Sequence, residues 1–117
     1  MEDKFDQQQT IHCEGIEFKI DNEGYLLNPD DWNEFVACAL AKTLFKKEIT
    51  PDMLEILYFI RGYYKQNYIF PSLTMVAKSM HKSTGSVLRL FGSHAVAWKM
   101  AGLPQPKKEL SYLLGGL

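Results

Sequence analysis

Trp98-Lys99-Met100-Ala101-Gly102-Leu103-Pro104-Gln105-Pro106-Lys107-Lys108-Glu109-Leu110 holds the reading on which the fold turns. Up to Ala101 the stretch continues a helix that starts at His94 with Ser93 as its cap. Gly102 and Pro104 then stop it, glycine by reaching a left-handed backbone and proline by lacking an N–H. Beyond that stop, residues 103–117 are expected to run on as a C-terminal arm with an apolar extension. Its far part, Lys107 to Leu117, carries an apolar cluster of Leu110, Tyr112, Leu113 and Leu114 closed by two glycines.

Upstream of the arm, four more helical segments are expected. Asn28-Pro29-Asp30-Asp31 combines a capping side chain, a proline and acids in the first turn. The helix it opens places Trp32, Phe35, Val36, Ala39, Leu40, Thr43 and Leu44 on one stripe, with Lys46 and Lys47 at its end. So few of its residues are polar that it is expected to be enclosed on more than one side, with Cys38 a small core residue. Thr50-Pro51-Asp52 starts a second helix over Asp52 to Gln66. Met53, Leu57, Ile60 and Tyr64 form one of its rows, and Ile56, Phe59 and Tyr63 another. Gly62, costly inside a helix, is expected at a close packing contact. Ser72 caps a third helix, Leu73 to Met80, and the loop His81 to Gly85 leads to a fourth, Ser86 to Phe91.

Toward the N-terminus the period changes to two. Ile16, Phe18 and Ile20 alternate with Glu17 and Lys19, as on a half-buried strand. Asp21-Asn22-Glu23-Gly24 reads as the turn of a hairpin returning through Tyr25-Leu26-Leu27, and Gly15 allows a further tight turn that would add Ile11-His12-Cys13. Residues 1–10 are polar and read as a disordered lead-in to a domain over residues 11–102. The fold class is mainly α with a small N-terminal β-hairpin, about five helices including a helix-turn-helix-like pair.

The 117 residues suit a single core. A net charge of −1 gives no general attraction to nucleic acid or anionic membranes. No apolar run approaches the roughly 20 residues of a membrane helix, no secretory signal opens the chain, and a cytoplasmic location is expected. With two cysteines, Cys13 and Cys38, reduced thiols are the expectation and a disulfide between them the alternative.

Taken together, these segments resemble the DsrC/TusE family of sulfur-trafficking proteins. Glu23-Gly24-Tyr25-Leu26 is similar to the family's T-E-G-Y-L turn, and Trp32 to its first-helix tryptophan. Arg61 with Tyr64, Phe70-Pro71-Ser72-Leu73, Leu88-Arg89-Leu90-Phe91, Lys99 and Ala101-Gly102-Leu103-Pro104 continue the series in order. The resemblance implies an arm ending in a persulfide-carrying cysteine, with a second arm cysteine in DsrC proper. The matching positions here are Glu109 and Trp98, and neither can hold sulfur. Further departures are Phe91-Gly92-Ser93-His94, which lacks the family's two prolines, a shorter loop between the third and fourth helices, and the extension beyond Lys107.

The resemblance thus implies a sulfur-metabolism protein without the persulfide cysteine, a binding or regulatory partner of sulfur-relay or sulfite-reductase machinery and not an enzyme. Arg89, Lys99, Gly102, Leu103, Pro104, Pro106, Lys107 and Lys108 are then partner contacts, and no catalytic residue is assigned. A competing reading is a DNA-binding regulator using Lys78, Lys82, Thr84, Ser86 and Arg89 of the helix-turn-helix-like pair. A lesser one is a sulfur carrier using Cys13, where neighbouring His12 is of little help because adjacent strand residues point to opposite faces. His12, His81 and His94 lack metal-ligand spacing, so neither metal nor cofactor is expected.

Overall fold

The computed structural model describes residues 8–106. Two strands, β1 (Gln9–Cys13) and β2 (Ile16–Ile20), pair antiparallel with Ile11 opposite Phe18 and Cys13 opposite Ile16. Glu14 and Gly15 join them, both with positive φ (48° and 87°), the backbone that lets a two-residue turn follow strand twist. The hairpin is therefore made at Gly15. The expected return at Tyr25-Leu26-Leu27 forms only a single bridge, Ile20 with Leu26. Asp21 explains the difference: its carboxylate accepts from Glu23 N at 2.8 Å and Tyr25 N at 3.0 Å, folding those residues into a compact loop. Strand β1 also begins inside the stretch read as a lead-in.

The expected first helix divides. Asn28 caps only one 3₁₀ turn, Pro29–Asp31, and the chain is extended again at Trp32. Asn33 then caps the helix proper, α1 (Glu34–Phe45), accepting from Val36 N at 2.9 Å. This resets the helical phase. Val36, Ala37, Ala39, Leu40 and Ala41 are buried, whereas Phe35 is 71% exposed and Cys38 is exposed too. The helix is thus covered on one side only, and Cys38 is not a core residue.

Helix α2 (Pro51–Asn67) starts as expected, with Thr50 Oγ1 accepting from Met53 N at 3.2 Å. Met53, Ile56, Leu57 and Ile60 are buried along it, each such side chain contributing about 1.5–3 kcal/mol relative to an exposed position. Gly62 makes no close packing contact: a Cβ there would meet nothing within 4 Å.

Three short helices complete the described chain, α3 (Leu73–Ser79), α4 (Thr84–Phe91) and α5 (His94–Met100). Each is opened by a serine hydroxyl accepting from the third residue on: Ser72 from Met75 N, Ser83 from Ser86 N, Ser93 from Val96 N. Ser83 thus starts the fourth helix two residues earlier than the sequence suggested. Helix α3 packs on α4, and α5 lies against α1, α2 and α4. Leu40, Ile56, Leu57, Leu73, Val76, Val87, Phe91 and Met100 fill the space between them. The described residues thus form five helices beside one two-stranded hairpin. No helix among them is long and apolar enough to cross a membrane.

Candidate functional site: the root of the arm

The end of α5 is fastened by its own backbone and by two distant side chains. Leu103 N donates to Trp98 O at 3.2 Å and Gly102 N to Lys99 O at 3.1 Å, while Gly102 takes a φ of 71°. This left-handed exit satisfies carbonyls that a helix end leaves without partners. Trp32 Nε1 donates to Met100 O at 2.8 Å. Arg61 donates from Nη1 to Ala101 O at 2.9 Å and from Nη2 to Pro29 O at 3.2 Å, its guanidinium 4.5 Å above the Trp32 ring. The break between Asp31 and Asn33 is what frees Trp32 to reach α5. Burial pulls the Arg61 pKa down, opposed by nearby Asp30; guanidinium starts so high that it stays charged.

On the other side of α5, Trp98 is 3% exposed and donates from Nε1 to Pro71 O at 2.8 Å. Its ring lies 5.2 Å from Phe70 and 6.1 Å from His94, and burial lowers the His94 pKa. Lys99 is half-buried, its ammonium 5.1 Å from the Tyr25 ring. The Tyr25 phenol is pushed up to about 12 by burial first, then by Glu23 and Asp21.

The expected contact residues therefore separate. Gly102 and Leu103 are buried at the root of the arm. Pro104 and Pro106 are partly exposed, and Arg89 is exposed on α4. Lys107, Lys108, Glu109 and the apolar cluster after them lie outside the described residues. On the α3–α4 face, Lys78 and Ser86 are exposed and Thr84 is partly covered. Lys82 approaches Glu55 at 3.8 Å, and the Ser83 and Ser86 hydroxyls bond each other at 2.9 Å. These groups are thus partly engaged within the fold.

Both cysteines are free thiols, Cys13 half-buried and Cys38 exposed. His12 turns outward and meets Glu17, its cross-strand partner, at 3.6 Å. No group of three His, Cys, Asp or Glu among the described residues is placed to hold a metal ion. What the sequence reading missed is the setting of Cys38: Phe35, Cys38 and Lys42 share the outer stripe of α1 at i, i+3, i+7 spacing. That spacing was visible, but its phase depended on where α1 begins.

A small helical domain with a hairpin at one side and a fastened C-terminal arm root defines the class. The match to the family model described as "DsrC like protein" extends over residues 12–110, and the chain belongs to that family. It is 36% identical over 109 residues to a sulfurtransferase TusE homolog of Haemophilus influenzae, covering 86% of this chain and 99% of that protein. It is 35% identical over 98 residues to the dissimilatory-type sulfite reductase subunit gamma of Nitratidesulfovibrio vulgaris, covering 82% and 93%. The solution structure of Allochromatium vinosum DsrC matches with a TM-score of 0.73 at 32% identity, covering 86% and 96%.

Proposed function

We propose that this protein serves sulfur metabolism by contact, as a binding or regulatory partner of sulfur-relay or sulfite-reductase proteins, and does not carry sulfur on its arm. Carriage needs an accessible thiolate on a segment that can reach a partner. The chain has two cysteines, both within the first 38 residues, and none in the arm. One observation carries the reading: the resemblance puts Glu109 at the persulfide cysteine and Trp98 at the second arm cysteine of DsrC proper, and Trp98 is buried and hydrogen-bonded to Pro71 O. The position holds the arm root in place instead of presenting a reactive group.

Contacts in this reading come from Lys99, Gly102, Leu103, Pro104 and Pro106 at that root, from Lys107 and Lys108 next in sequence, and from Arg89 on α4. A cytoplasmic location and the absence of an enzymatic activity of its own belong to the same proposal. The test is a pull-down with TusE-type relay proteins and with dissimilatory sulfite reductase, using the full chain, a chain ending at Pro106, and Lys99→Glu. The full chain is expected to retain a partner that the two altered chains lose. Equal recovery by all three, or by none, removes the arm from the proposed role.

A further inference from the structure

An open groove of about 660 Å³ lies away from the arm root and is lined by both Cys13 and Cys38. One wall is the outer stripe of α1, with Phe35, Cys38 and Lys42; the opposite wall is the hairpin tip, with Cys13 and Glu14. A contact ties these walls together. Lys42, one helical turn beyond Cys38, donates to Glu14, the residue after Cys13, at 3.0 Å. The ion pair thus fastens the hairpin tip, just after Cys13, to α1 one turn beyond Cys38. Burial first, then Glu34 and Glu14, raise the pKa of the Cys38 thiol. Lys46 and Lys47 stand at the same groove, which counts three lysines against two glutamates, and Phe35 and Ile49 supply apolar surface.

We propose that Cys13 and Cys38 are a redox pair across this groove, oxidised by a small disulfide that carries carboxylates. Cys38, the exposed thiol, attacks first. Its thiolate bonds one sulfur of R–S–S–R, the S–S bond breaks, and RS⁻ leaves. The Cys13 thiolate then attacks the Cys38 sulfur, closing a Cys13–Cys38 bond and expelling the second RS⁻. Two electrons pass from the protein thiols to the small disulfide, and the two thiol protons end on the two released thiolates. The lysines hold the carboxylates while this occurs, which offsets the small thiolate fraction at Cys38. The result is a covalent tie between the hairpin tip and the middle of α1. This site is independent of the contact role proposed for the arm.

The test uses the reduced full chain with oxidised glutathione as the probe, followed by intact mass and peptide mapping. The wild type is expected to lose two hydrogens, with a Cys13–Cys38 linked peptide and no retained adduct. Cys13→Ser is expected to keep one tripeptide adduct on Cys38, and Cys38→Ser to remain largely unmodified. Lys46→Asn with Lys47→Gln, asparagine being tolerated at the left-handed Lys46, should slow oxidation several-fold. The same variant should leave oxidation by the neutral 2-hydroxyethyl disulfide unchanged. Far-ultraviolet circular dichroism confirms the fold of each variant, and the wild-type arm needs no substitution. A wild type that retains the adduct on Cys38, stays reduced, or links only between molecules overturns the pair. Equal slowing with both disulfides overturns the part given to the lysines.

Discussion

Gly102 lies against the face of Trp32 so closely that a Cβ built on it would sit 2.8 Å from Trp32 Cγ and closer still to Cδ1. The same glycine has a φ of 71°, so space and backbone make the same demand. Trp32 in turn holds Met100 O. The exit of the arm is set by this pair.

Gly102→Ala is accordingly expected to lower stability by about 2–4 kcal/mol, from left-handed strain and overpacking together. Gly62→Ala is the contrasting change, because its Cβ would meet nothing within 4 Å in an exposed helix interior. It should raise stability by about 0.5–1 kcal/mol. Urea denaturation of both variants checks the pair, and similar midpoints for the two would contradict the packing described.

Trp98→Phe keeps the ring but removes the N–H that Pro71 O accepts, for an expected loss of about 1–3 kcal/mol. Trp98→Cys puts a thiol where the resemblance places the second arm cysteine of DsrC proper and empties most of a buried ring, costing about 3–5 kcal/mol. Its new thiol should stay unlabelled by iodoacetamide in the native protein and label on unfolding. Rapid native labelling at residue 98 would show that the position is open.

Arg61→Lys retains a charge but cannot span Ala101 O and Pro29 O while covering the Trp32 ring. A loss of about 1–2 kcal/mol is expected. Amide exchange should quicken at Ala101, Gly102 and Leu103 before it quickens in α2. Uniform quickening would place the effect in the core at large.

Tyr25 gives a pH dependence with a defined sign. Its phenol has an ordinary pKa of 10.0 and is pushed up to about 12 in the fold, so the unfolded chain gives up this proton first. The resulting stability is whole below about pH 10, falls as pH rises toward about 12, and is lost above that. Tyr25→Phe should flatten that limb, and the phenolate absorbance of the wild type should show one late-titrating tyrosine. An unchanged limb in the variant would assign the loss to other groups.

How much of this was written in the sequence can be judged element by element. Thr50, Ser72 and Ser93 announce their helices because capping chemistry is local. Asn28 and Asn33 are both good caps, and the choice between them is made from afar. Trp32 must leave the helix to reach Met100, 68 residues away. That choice moved the phase of α1 and turned Phe35 and Cys38 outward. Both glycines of the β region make the turns read for them, and Asp21 tightens the second by taking the amides of Glu23 and Tyr25, which leaves the return strand a single bridge. Local patterning thus located most of the helices and the root of the arm. The thiol groove stayed hidden because it depends on which α1 residues face the hairpin.

Intact mass after incubation with a cysteine desulfurase, cysteine and a TusE-type relay protein is the most direct measurement of whether this chain carries sulfur. The expected result is an unchanged mass for the reduced protein, with both Cys13 and Cys38 free of added sulfur and no sulfur passed onward. A persulfide on either thiol that is then handed to a relay partner would contradict a role by contact alone.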